Sequence, residues 1–121
     1  MNIETRNANE VNIAVISSEE VLITDTQSAL DLIMTVKYET GADRIVINKN
    51  ALAEEFFVLS SGLAGEVLQK FINYHVKAAI YGDYSKYTSK PLHDFIYESN
   101  KGKDFFFMNS REAAVEKLLA V

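Results

Sequence analysis

The chain has no cysteine, no tryptophan, a single proline, five glycines and only two histidines among 121 residues. The absence of cysteine excludes disulfides and thiol catalysis, and supplies no thiolate for a zinc site. The histidines do not make up for it. His93 and its neighbour Asp94 diverge on a predicted helix, and the acidic pair Glu54 and Glu55 has no histidine beside it. No metal and no cofactor is expected. No apolar run approaches the roughly 18 residues of a membrane span. The opening MNIETRNANEVNIAV lacks the basic segment and apolar run of a secretory signal, so a cytoplasmic protein away from membranes is expected. Twelve basic against 17 acidic side chains leave a net charge of -5. That field disfavours nucleic acid, a polyanion, as a partner.

What is present is ordinary globular material, 48% apolar and 24% charged, sized for one domain over residues 1–121. Ile3 and Thr5, then Val11, Ile13 and Val15, alternate around the turn-forming NANE, a β-hairpin pattern. Val21 to Ile23 extends it or forms a short separate strand. The period then changes. Leu30, Ile33, Met34 and Val36 or Lys37 follow helical spacing between a cap at Asp25 or Thr26 and a stop at Gly41. RIVINKN, VKAAIYGD and KDFFFMN read as strands. GLAGEVLQKFINYH, SKPLHDFIYESNKG and SREAAVEKLLA read as helices, with Leu63, Val67, Leu68, Phe71 and Ile72 on the apolar face of the first. ALAEEFFVLSSG is ambiguous, a helical turn and then a loop; Phe56 and Phe57 within it are expected in the core. Strands alternating with helices after a hairpin predict an α/β fold around a mixed, largely parallel sheet.

The stretches SGLAGEVLQKFINY, GDYSKYTSKPLHDFIYESN and the FFF…EA tail carry a resemblance. Over Phe56 to Leu118 the chain resembles a bacterial family known as domain-of-unknown-function family 4180, itself similar to the STAS-type domains of anti-sigma factor antagonists. The resemblance implies a STAS-like single domain acting as a regulatory or sensing module, controlled by phosphorylation or a ligand. Ser60 or Ser61, and Ser85, occupy places comparable to the STAS regulatory serine, outside the usual Asp-Ser-Ser/Thr-Gly setting.

Two stretches could carry function. In LSSGLAGE, Ser60, Ser61 and Gly62 precede a helix whose start offers unpaired N–H donors to an anion. The bland alternative is that a serine caps the helix, with Gly65 permitting close packing on the sheet. No Walker loop or dinucleotide fingerprint is present. In the second stretch, Asp83 follows what is expected to be a central strand, at the carboxyl end where open α/β sheets place ligands. Ser85, Tyr87 and Lys90 populate the polar loop that follows, and His93, Tyr97 and Asn100 share one predicted helix face. Leu92, Phe95, Ile96 and Ser99 form its core-directed face. His75 is expected as a cation at a helix end.

The expected function is a non-catalytic module that binds a partner protein or a small, anionic ligand at the strand-end loops. Ser60, Ser61, Gly62, Asp83, Ser85, Tyr87 and Lys90 would form the site. The alternative is a small hydrolase or transferase using Asp83 and His93, with Ser85 completing a nominal triad. A homodimer, with the helix pair around Phe71 or the exposed edge hairpin at its interface, is a third option.

Overall fold

A computed structural model describes residues 1–121. Five strands lie in the order β1-β2-β3-β4-β5, namely Asn2–Ala8, Val11–Ser17, Arg44–Asn48, Lys77–Tyr81 and Phe105–Met108. The first pair is antiparallel and the remaining pairs are parallel, as the alternation predicts. Asn9 and Glu10 close the hairpin with positive φ of 51° and 66°, the two-residue type I′ turn whose twist matches its strands. Ile23 makes a single parallel bridge to Leu52 in place of a strand.

Helix α1 spans Thr26–Thr40, α2 Leu63–Asn73, α3 Lys90–Lys101 and α4 Arg111–Ala120. Asp25 caps α1: its carboxylate accepts from the Ser28 amide at 2.8 Å, and the Ser28 hydroxyl accepts from the Asp25 amide at 3.0 Å. Gly41, left-handed at φ 72°, ends it by donating its N–H to the Lys37 carbonyl. Ser89 and Ser110 cap α3 and α4 by accepting from the amides of Leu92 and Ala113. His75 lies just beyond the end of α2, in a left-handed turn at φ 58°.

Because strand side chains alternate, the sheet feeds two cores. Ala14, Ile16, Ile45, Ile47, Ala78, Ile80, Phe105 and Phe107 face α1, α2 and α3. Ile13, Val15, Val46, Ala79 and Phe106 face α4 alone, through Ala114, Val115 and Leu118. The triple Phe of β5 is thus divided between layers, as a doubly covered strand requires. Arg44 fixes the far end of α4 by donating to the carbonyls of Leu118 and Val121.

Two helix faces are turned relative to their sequence pattern. In α1 the buried stripe is Ala29, Leu32, Ile33 and Val36, and Met34 is 40% exposed. The buried stripe is thus rotated from the predicted one by about one residue, or about 100°. In α2, Leu63, Val67 and Phe71 are buried, but Ile72 at the edge of the stripe is 38% exposed. No helix is long and apolar enough to cross a membrane.

Candidate functional site

The carboxyl ends of the parallel strands are overlaid by two connections, residues 49–62 after β3 and 82–89 after β4. The first holds three short 3-10 turns, Lys49–Ala51, Glu54–Phe57 and Leu59–Ser61, which set Ala51, Leu52, Phe56 and Phe57 into the larger core. Phe56 is fully buried and packs its ring 5.0 Å from that of Phe57 and 6.2 Å from that of Phe107. The expectation of burial for both phenylalanines holds.

Phe57 joins the two connections. Tyr87 stacks on it with ring centres 5.0 Å apart and planes 18° from parallel. The Tyr87 hydroxyl donates to Glu54, whose carboxylate also pairs with the Lys86 ammonium at 3.0 Å. That hydrogen bond from Lys86 holds the Glu54 carboxyl below its ordinary value and raises the Lys86 ammonium above its own. Lys49, the first residue after β3, carries its ammonium 5.6 Å from the Phe57 ring centre and 5.2 Å from that of Tyr87. It forms none of the molecule's ion pairs.

Lys49 also borders a hollow of about 260 Å³ with Asn48, Asn50, Tyr81, Gly82 and Asp83. Gly82 is needed for this closeness: a Cβ there would lie 2.8 Å from the Lys49 Cβ. Asp83 accepts from the Ser85 amide at 2.9 Å, which lowers its carboxyl, with a smaller contribution from Lys49. Asn48 braces the rim, donating to the Ser18 carbonyl at 2.7 Å and accepting from the Ser18 amide at 3.0 Å. Beneath the loop, the Tyr84 hydroxyl donates to the Ile80 carbonyl at 2.8 Å, and burial pushes that phenol above its ordinary range.

A second depression of about 470 Å³ is lined by Phe57, Val58, Leu59, Ser60, Ser89 and Pro91. The residues singled out in the sequence therefore divide. Ser60 lines this groove, Asp83 lines the hollow, and Tyr87 is stacked on Phe57, which lines the groove. Ser61 turns away, donating to the Glu55 carbonyl at 2.7 Å and accepting from the Leu63 amide. Gly62, left-handed at φ 81°, holds the N-cap position of α2 itself, and Gly65 faces open space, not the sheet. Lys90 pairs with Asp94 one helical turn on, at 2.6 Å.

No hydrogen bond joins His93 to Asp83 or Ser85. Asp83 is engaged by Ser85, while the His93 ring donates through Nε2 to the Tyr87 carbonyl at 2.6 Å. Asn100 leaves the polar face predicted for it. Its side chain accepts from the Phe107 amide at 2.7 Å and donates to the Phe107 carbonyl at 3.2 Å. Nor do three or more histidine, aspartate and glutamate side chains cluster to hold a metal ion. The residue missed in the sequence is Lys49. Its one signal was its place directly after β3, on the same strand-end rim as Asp83.

The model of one family matches residues 8–118. The chain belongs to the domain of unknown function DUF4180. The match extends the resemblance from the second half into the hairpin and α1. No curated protein and no solved structure matches the chain. Membership of DUF4180 thus comes without a residue role to transfer, and the site stands on its geometry.

A further departure concerns the sheet. β4 is next to the edge strand β5 and not central, and the strand order runs in sequence without reversal. The crevice that a reversal opens in doubly wound sheets is therefore absent. A strand-end site in this DUF4180 chain is thus built by the connections that follow the strands.

Proposed function

We propose that this chain is a non-catalytic binding module of STAS-like type, a bacterial regulatory or sensing component that takes an anionic group at the strand ends. The observation that carries the proposal is Lys49, an ammonium in no direct ion pair, held over two rings at the rim of a hollow. A cation held over aromatic faces loses little mobility when an anion arrives, because its position is already restricted. Asn48, Asn50 and the backbone around Gly82 offer hydrogen-bond groups beside it. Asp83 on the same rim repels dense negative charge, which favours a carboxylate or a singly charged phosphate ester over a polyphosphate.

The test is a two-dimensional amide NMR titration with inorganic phosphate and, separately, acetate. Saturable shifts centred on Asn50, Gly82 and Asp83 are expected, and they should vanish in Lys49→Met. Shifts that persist in Lys49→Met, or none at all, would remove the anion site.

A further inference from the structure

The two edges of the sheet are treated differently. At β5, only four residues long, Asn100 reaches from α3 and occupies the outward amide and carbonyl of Phe107, as a neighbouring strand would. At β1 nothing does this. The strand is seven residues long and contains no proline, no lysine and no bulge: its register with β2 runs one to one from Asn2–Ser17 to Ala8–Val11. Those are among the devices that blunt free edges, and the two charges the strand does carry, Glu4 and Arg6, are already paired with α4.

The hairpin turn decides which backbone groups are open. Ala8 and Val11 flank the two-residue turn and form its hydrogen-bonded pair, so Ala8, Arg6, Glu4 and Asn2 point their amides and carbonyls at β2. Ile3, Thr5 and Asn7 point theirs outward. No loop or side-chain hydrogen bond reaches them. On the α4 side of the sheet, Glu4 pairs with Arg111 and Arg6 with Glu112 at 3.4 Å.

This pattern is self-complementary. We propose that β1 is the seam of a symmetric dimer, in which two copies pair antiparallel about a two-fold axis at Thr5. That register sets Thr5 against Thr5, Ile3 against Asn7, and each Glu4 opposite the other copy's Arg6. About six backbone hydrogen bonds then cross the seam. The four charges on each side become one alternating network, Arg111–Glu4–Arg6–Glu112, closed through the axis. Moving the axis to Glu4 or to Arg6 would put like charges opposite one another, which is destabilising. Charge therefore selects the register, and the isologous geometry closes at two copies.

The cysteine-free sequence makes the test clean, since Thr5→Cys carries the only thiol. Opposed residues of a hydrogen-bonded pair lie about 5.5 Å apart between Cα atoms, within disulfide range. Position 7 would be offset from its own copy by four residues, about 13 Å. Sedimentation equilibrium of the full chain, from micromolar to millimolar, should give a monomer–dimer equilibrium. Under mild oxidation Thr5→Cys should cross-link to a dimer, while Asn7→Cys stays monomeric in denaturing gels. Thr5→Pro, which removes an outward amide, should abolish the dimer with its circular dichroism unchanged. A wild-type chain that stays monomeric throughout, or Asn7→Cys cross-linking as readily as Thr5→Cys, would overturn the proposal.

Discussion

Replacing Asn100 by leucine should damage the fold more than a part-exposed helix position normally allows. Its two hydrogen bonds, 2.7 and 3.2 Å long, go to the backbone of Phe107, whose ring is in the larger core with only 4% of the residue exposed. Leucine keeps the branched shape and removes both partners. Two net hydrogen bonds are worth about 2 kcal/mol. If water does not reach the freed amide and carbonyl, their desolvation adds to this, for a total of about 2–4 kcal/mol. Against the 5–15 kcal/mol usual for a domain, that is a large fraction. In urea denaturation the midpoint should fall by about 1–2 M with the slope unchanged.

Hydrogen exchange isolates the mechanism, because the Phe107 amide should lose protection beyond the global change while the β3 amides follow the global change alone. The opened edge should also promote association at high concentration. A loss below about 0.5 kcal/mol, the ordinary scale of a surface substitution, with Phe107 exchange unchanged, would refute the edge-plug assignment.

Two glycines on either side of the start of α2 should respond in opposite directions. Gly62→Ala places a Cβ on a left-handed residue and should cost about 1 kcal/mol, whereas Gly65→Ala, helical and facing open space, should stabilise by about 0.5–1 kcal/mol; paired thermal melts would decide, and matching signs would contradict the assigned conformations. Gly82→Ala should displace Lys49 by collision at its Cβ, costing about 1–3 kcal/mol and weakening the phosphate-induced NMR shifts; unchanged shifts would mean that the close approach is not needed. Asp25, Glu54 and Asp83 all have lowered carboxyls, so the unfolded chain binds more protons in acid and stability should drop as pH falls below their ordinary values of 3.8, 4.5 and 3.8. Lys86, raised from 10.5, contributes in the opposite limb and is lost only as pH climbs above that value. Glu54→Gln should flatten both limbs slightly, since the pair is exposed; a urea midpoint that does not fall between about pH 5 and pH 2 would contradict the assignment.

The elements most legible in the sequence are those whose signals lie within a few adjacent residues. The hairpin turns at Asn9 and Glu10, and the α1 cap is local chemistry between Asp25 and Ser28. Residues 49–62 resisted because their apolar positions, Ala51, Leu52, Phe56 and Phe57, follow no fixed period. They are placed by the site they fill above α2 and β5, a long-range condition that no window of sequence contains. Asn100 was misplaced for a related reason. On a helical wheel it belongs with His93 and Tyr97, yet its partner is a backbone that only tertiary structure brings near.

The same distinction explains the shape of the candidate site. With strands in sequential order and α1, α2 and α3 on one face, no gap opens between helices at the strand ends. The hollow exists because two connections fold across one another, joined by the Phe57–Tyr87 stack and the Glu54–Lys86 pair. Each half of that clasp comes from a different connection, so neither half predicts the other. Lys49 is held where the halves meet, by rings from both. A ligand at Lys49 would therefore sense how the connections are arranged, and changes in their arrangement would alter the grip on the ligand. A polar loop at one strand end could bind without such coupling; a cation shared between two loops cannot.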